Sequence, residues 1–383
     1  MPSFVVILSV HLFKTAKLRR SGVAFPSVCF LLLGYLATPA WPQSIPTSAS
    51  LPTGASPLHS GIWINPQELS ALPISGPAWE NLYAAACEKT AAPKLSDQND
   101  NTNVRILAKA LVYARLKEKR FRDEVLDALR VIVAANTPTD SRTLALGREL
   151  PAYVIAADLI DLKNAEAKLD QKFRAKLREL CTQKFQGKTL ITTHETRPNN
   201  WGTHAGASRA AIAAYLNDQT ELQRCAKIFQ GWLGDRSVYA KFKFGKLDWQ
   251  AEAAQPVGVN PKGAKRNGHS LDGVLPDDQR RSGPFKWPPP QENYVYEALQ
   301  GALVQAMILH RGGYDVWNWS DRALLRAYEW LNREAHFPAA GDDEWQMHVI
   351  NHFYGTNFPA ALPARSGKNM GWTDWTHAKK ASP

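Results

Sequence analysis

Apolar residues recur three and four apart in a succession of long blocks, the spacing that lays one apolar stripe along a helix. The blocks run Val104–Leu116, Arg122–Ala135, Leu150–Leu162, Gln171–Phe185 and Asn200–Leu216, with short turns between them. Further helices are predicted over Leu222–Leu233, Glu292–Leu309, Ser320–Glu334 and Asp343–Phe353. Runs alternating with period two are scarce, so strands should be few. The pattern predicts an all-α fold of consecutive antiparallel helix pairs, either a bundle or an (α/α)n toroid, an incomplete α/α barrel around a central cleft.

No Pro-, Ser- or Gly-rich linker divides residues 61–383, which predicts one domain with a substantial core. A single irregular stretch, Lys241–Gln291, breaks the helical pattern, and it carries Trp249, His269, Asp272, Arg280, Arg281, Trp287 and the stiff Pro288-Pro289-Pro290. Long connections inside compact domains are usually functional, so this one is expected to form a wall or lid over the cleft. At its start Lys241 and Lys243 alternate with Phe242 and Phe244, as in a short strand with a basic and an apolar face. With Lys246 just beyond, those lysines fit either contacts to neighbouring carboxylates or a solvated edge.

The N-terminus changes the picture from a plain helical domain to an exported one. Lys14, Lys17, Arg19 and Arg20 precede an apolar run from Gly22 to Ala37 and the small-residue exit Thr38-Pro39-Ala40, the order of a secretory signal peptide. Pro26 interrupts the run, which is short for a bilayer span of about 20 residues. Residues 1–40 are therefore expected to be removed, residues 41–60 to form a Pro-, Ser- and Thr-rich flexible leader, and the mature protein to be periplasmic or secreted.

The full chain carries a net charge of +11, and residues 1–40 hold four of its 46 basic residues and none of its 35 acidic ones, leaving +7. Such an excess suits a polyanionic partner. Export and the lack of any nucleic-acid motif set nucleic acid aside, and no membrane association is expected once the leader is gone. A monomer acting on an acidic polysaccharide, with no cofactor or metal, is the resulting expectation. Of the four cysteines, Cys29 lies in the leader, and Cys87, Cys181 and Cys225 form neither a disulfide framework nor a zinc pattern.

Cleaving a uronate polymer by elimination requires the carboxylate to be neutralised, the adjacent proton removed and the leaving oxygen protonated. Amide and guanidinium donors suit the first task, and His or Tyr the other two. Arg197-Pro198-Asn199-Asn200-Trp201-Gly202-Thr203-His204 supplies such groups at a helix start. Asn199 is a natural N-cap, and Asn200 and His204, four apart, share one helical face. Local hydrogen bonding alone would also explain these three residues.

The run Asn199-Asn200-Trp201-Gly202-Thr203-His204 resembles the Asn-Asn-His signature of the toroidal alginate lyases, in which an Asn neutralises the carboxylate and a nearby His takes part in proton transfer. Trp201 stands where that signature has His, and His204 stands one helical turn later. The resemblance thus implies Asn200 directly, and His204 if the exchanged position still reaches the cleft. Asp272-Gly273-Val274-Leu275-Pro276, followed by Arg281 and Tyr294, is similar to the segment that places an Arg and a Tyr at the catalytic centre, with the gap lengthened to thirteen residues. Leu95-Ser96-Asp97-Gln98 and Glu149-Leu150-Pro151-Ala152-Tyr153 also look like the family.

Together these imply a polysaccharide lyase, with alginate as the leading substrate. Asn200 and Arg281 would hold the carboxylate, Tyr294 would transfer a proton at the glycosidic oxygen, and His204 would be the partner base. Asn199, Trp201, Trp249, His269, Arg280 and Tyr296 complete the expected substrate site, with Tyr296 the runner-up for Tyr294 and His269 for His204.

Other patterns compete. Glu344, His348 and His352 are spaced by four and would put three metal ligands on one helical face, although a packed or wet face explains them as well. A toroidal glycoside hydrolase would need two carboxylates, for which Asp277, Asp278 and Glu292 are available. A polysaccharide-binding protein that kept the fold and lost the chemistry is the third possibility.

Overall fold

In a computed structural model, residues 61–378 are described. The expected signal peptide at 1–40 and leader at 41–60 lie outside them. The described residues are mostly helical with almost no strand, as an all-α fold requires. Its first half runs through helices α1 (Pro66–Ser70), α2 (Pro77–Cys87), α3 (Thr102–Leu116), α4 (Lys119–Ala134), α5 (Thr143–Leu159), α6 (Leu162–Ala165), α7 (Ala167–Thr182), α8 (Leu190–Thr196), α9 (Asn200–Leu216) and α10 (Gln219–Trp232).

The irregular stretch that follows holds two-residue strands β1 (Lys265–Arg266) and β2 (His269–Ser270), an antiparallel pair, and the short helix α11 (Pro276–Gln279). The chain then continues through α12 (Asn293–Arg311), α13 (Trp319–Arg333), α14 (Trp345–Tyr354) and α15 (Thr373–Thr376). The segment Lys241–Lys246 is not a strand, although exposed Lys241 and Lys243 do alternate with half-buried Phe242 and Phe244. No helix among the described residues is long and apolar enough to cross a membrane.

Sequence explains which helices sit inside. Helix α4 buries Phe121, Val125, Leu126, Ala128, Leu129 and Ile132 on one face and leaves its charges outside, at roughly 1.5–3 kcal/mol for each fully buried large apolar side chain. Helix α9 has no polar face: apart from Trp201 and Ala214, its residues from Asn200 to Tyr215 are buried. Its Ala, Gly and Ser positions make it slim, and it packs between α5 and α12, with α8 and α10 also against it and α3 beyond α5. Its ends are fixed locally. Asn199 caps the start, and Asn217 ends it in the left-handed conformation, φ 58°, that Asn tolerates.

Two glycines let three helices meet. A Cβ at Gly301 of α12 would lie 2.5 Å from the amide nitrogen of His204, and one at Gly147 of α5 would lie 2.9 Å from its carbonyl carbon. Both neighbours are backbone, which cannot step aside. His204 is thus clamped where α5 and α12 close on α9.

Helix α5 starts seven residues before the predicted Leu150, and carries Pro151 in its interior. Proline has no N–H to give the carbonyl four residues earlier, normally a strong helix breaker. Here Ser208 Oγ of α9 donates to that carbonyl, Gly147 O, at 2.8 Å. Tertiary packing supplies the bond the proline removes, so the helix continues through it.

Candidate active site

A cleft of about 440 Å³ opens at the first turns of α9 and α12. Asn200, Trp201, Arg281 and Tyr294 line it, four of the residues singled out from sequence. Gln98, Asn99, Arg142, Leu144, Arg148, Asn293, Glu297 and Lys368 complete the lining.

The irregular stretch holds the start of α9 in place. Asn199 accepts from the Trp201 amide at 3.3 Å and donates through Nδ2 to Asp277 at 3.1 Å, while the Asn200 amide donates to Asp278 Oδ1 at 3.1 Å. Asp277 also accepts from Gly245 N at 2.9 Å and from Arg280 Nε at 2.8 Å. Negative side chains at a helix N-terminus are favourable, because unsatisfied N–H groups point there. Burial pushes the Asp278 carboxyl well above the usual carboxylate range, against the lowering effect of the Asn200 N–H. Asn199 and Arg280, expected to bind substrate, therefore serve as cap and brace and do not line the cleft.

With Asn199 as cap, Asn200 is left free for the cleft. Its side chain is fully buried as measured at the residue, yet neither Oδ1 nor Nδ2 has a hydrogen-bond partner. A buried amide with both polar ends unmet costs about 1–3 kcal/mol. Such a cost is expected where a ligand group completes the bonding. In the same cleft lining the Arg281 guanidinium lies over the Tyr294 ring, with its carbon 3.4 Å from the centroid. Tyr294 is 39% exposed, open to the cleft rather than packed in the core.

Behind these residues runs a charge network that sequence reasoning missed. The buried Glu297 carboxylate accepts from Arg148 Nη2 and, at 2.8 Å, from Lys368 Nζ, which also pairs with Asp342 at 3.1 Å. Arg148 in turn donates to Gln98 O at 3.1 Å and has Nε 3.5 Å from His204 Nε2. A signal for Arg148 and Glu297 was present: each is a charge set among residues buried all round a helix, where it must be paired. Lys368 lies in an irregular segment and carried none.

His204 is fully buried and absent from the cleft lining; it meets the cleft only through Arg148. Burial, then the charges of Arg148 and Lys368, hold its imidazole well below the usual value and hence neutral. The sequence-based expectation that it faces the substrate directly is not what the structure places there.

Three other expectations need correction. Trp249 is wholly buried, donates to Gly283 O at 3.0 Å and packs edge-on against Phe285 and Trp330, so it is core and cannot stack on a sugar. Tyr296 is buried with its hydroxyl donating to Phe337 O at 2.7 Å, one face away from the cleft. Both follow from the large gain in burying aromatic area when the polar tip finds a partner. His269 stacks on Trp287, centroids 4.4 Å apart at 9°, outside the cleft lining.

The triplet Glu344, His348 and His352 is engaged elsewhere. Glu344 accepts from the amides of Gly341 and Arg365, His348 contacts Ala361 O at 2.8 Å, and His352 packs edge-on against Phe353 and His377. Cys87, Cys181 and Cys225 are free thiols.

Residues 84–237 match the family model described as Alginate lyase, which supports a polysaccharide lyase activity in broad terms. The match takes in Arg142, Arg148, Asn200, Trp201 and His204, while Arg281, Tyr294, Glu297 and Lys368 lie beyond it. No curated protein matches the chain.

Proposed function

We propose that this chain, which matches the alginate lyase family model over residues 84–237, cleaves a uronate-containing polysaccharide by β-elimination, with alginate the leading substrate. The observation that carries the reading is the unpartnered, buried Asn200 amide on a cleft wall shared with Arg281 and Tyr294. Its Nδ2 donates to the substrate carboxylate, and Arg281 adds a guanidinium, so the charge that spreads onto the carboxylate as the C5 proton leaves is stabilised by fixed donors. Tyr294 exchanges protons with the sugar: its oxygen takes the proton from C5 and a proton passes from it to the departing oxygen, so both transfers run through one group on one face of the ring. The elimination breaks the C–O bond, leaves a C4–C5 double bond on one product and a hydroxyl on the other. His204 acts by position, accepting from Arg148 and holding that guanidinium against Glu297 and the cleft.

The packing of slim α9 between α5 and α12 supports an (α/α)n toroid, with the cleft at its mouth. The basic, apolar and small-residue order of residues 1–40 supports export and a mature chain beginning near Trp41.

A glycoside hydrolase is the weaker reading. Among the described residues Glu297 is the carboxylate lining this cleft, and it is pinned between Arg148 and Lys368. Asp277 and Asp278 are spent on α9, and Glu292 caps α12 through the Tyr294 amide at 3.1 Å. Purified protein assayed on alginate, glucuronan and hyaluronan for absorbance near ~235 nm, where the conjugated product of this acid–base chemistry absorbs, tests the proposal. Reducing ends appearing without that absorbance would identify a hydrolase, and polymer binding without either product would identify a binder.

A further inference from the structure

Positive side chains continue along one flank beyond the residues that face the reacting sugar. Arg142 stands exposed on the cleft wall beside Trp201. The Arg197 guanidinium lies over the Trp201 ring, 5.2 Å from its centroid. Lys188 and Lys243 come next, both exposed and close enough to Arg197 that its charge and that of Lys243, after burial, hold the Lys188 ammonium below its usual value.

Backbone and hydroxyl contacts keep these stretches side by side. Thr193 Oγ1 bonds Thr143 Oγ1 at 3.0 Å, Gln186 N donates to Thr139 O at 2.9 Å, and Lys243 N donates to Thr196 O at 2.8 Å. The four cations come from three separate parts of the chain and are fixed by the fold, not by sequence proximity.

None of the four forms an ion pair among the described residues, whereas the arginines Arg148, Arg209, Arg280, Arg311 and Arg326 all do. Clustered like charges without counter-charges repel one another and raise the local concentration of a polyanion. Trp201 adds an apolar face at the junction between this flank and the cleft.

We propose that Arg142, Arg197, Lys243 and Lys188 form a cationic track that holds the carboxylates of sugar units beyond the cleaved bond, so that the protein grips an extended polyuronate along its length. The inference rests on the uronate-lyase reading. It implies a preference for long chains over short ones, because a ligand that fills the track extends past the reacting unit.

The test is charge reversal at the exposed far end, Lys188→Glu with Lys243→Glu, measured on alginate polymer and on an alginate trisaccharide at low and high salt. The expected result is a KM for polymer raised about tenfold at low salt, as two reversed surface contacts would give, shrinking as salt screens the charges. The polymer's preference over the trisaccharide should fall by the same factor. An unchanged polymer KM, or an equal rise on both substrates, overturns the track while leaving the lyase reading intact. Should wild-type protein cleave neither substrate, the lyase reading fails instead, and affinity electrophoresis in alginate gels then decides the track. Retardation of wild type lost in the double variant supports it, and equal retardation overturns it.

Discussion

The guanidinium carbon of Arg281 lies 3.4 Å from the centre of the Tyr294 ring, within a cleft where the phenol is 39% exposed. The cation lies over the ring face, where the quadrupole is negative, and this contact orients the phenol without occupying its hydroxyl. It also joins the 3₁₀ turn Arg280–Ser282 to the first turn of α12, across the proline-rich insertion that lengthens the chain between them.

Tyr294→Phe removes the hydroxyl and keeps the stacked ring. The expected outcome is a fall in kcat of roughly 10²–10⁴-fold, the usual contribution of a positioned acid–base group, with KM little altered. Steady-state kinetics on mannuronate-rich and guluronate-rich polymers checks it. Tyr296→Phe is the contrast: its hydroxyl is spent on Phe337 O, so kcat should hold while stability falls by about 1 kcal/mol. The reverse pattern would move the chemistry from Tyr294 to Tyr296.

Asn200→Ala should cost roughly 10²–10³-fold in kcat, the loss seen when one preorganised donor is removed from a developing anion. Stability should not suffer, because the amide has no partner in the fold and the cap belongs to Asn199. Asn200→Asp should be worse than alanine, since it sets a carboxylate against the substrate's own. Thermal melts alongside the kinetics separate these effects, and a large drop in Tm for Asn200→Ala would assign the amide a structural role.

Much of this was legible beforehand. Helix α9 was predicted with the bounds it has, from its apolar spacing and the cap residue Asn199, and in the structure Asn217 ends it, also a local device. Asn200, Arg281 and Tyr294 could be named because their neighbours resembled a known pattern. Helix α5 was misjudged at its start, predicted at Leu150, and only Ser208, 57 positions beyond Pro151, reveals how the helix runs on through the proline. Trp249 and Tyr296 were misplaced for the same reason: an aromatic residue in a loop or on a helix has two possible sides, and burial is decided by partners such as Gly283 O and Phe337 O that no spacing encodes. The Arg148–Glu297–Lys368 network joins positions 148, 297 and 368, a contact that only the fold brings together.

Gly301→Ala tests the clamp on His204. The added methyl would sit 2.5 Å from both the His204 nitrogen and the Thr203 carbonyl carbon, so α9 and α12 must separate. Overpacking of this kind costs about 1–3 kcal/mol, and the shift would carry Asn200 and Tyr294 apart, because both lie one turn or two from the contact on their helices. The expected variant is folded, less stable in urea, and low in kcat. Wild-type stability together with wild-type kcat would show that the two helices have slack.

Asp343 gives the protein a stability that depends on pH through one buried group. Its Oδ1 accepts from Gln300 and Gln346, both at 2.8 Å, yet burial outweighs these bonds and pushes the carboxyl up to about 7. Asp342 beside it acts in the same direction and Lys368 against it. In an unfolded chain the same carboxyl titrates near ~3.9. Between those two values the folded state binds the proton more tightly, so its contribution to stability is full below about pH 4, declines as pH rises, and is gone above about 7. Asp343→Asn keeps a carbonyl acceptor for both glutamine amides and has no proton to lose, so the decline should disappear. Melting curves at pH 5 and pH 8 should therefore show the variant gaining on wild type by a few degrees at the higher pH. Parallel pH dependence in the two proteins would show that Asp343 stays ionised in the fold, with Lys368 close enough to compensate its burial.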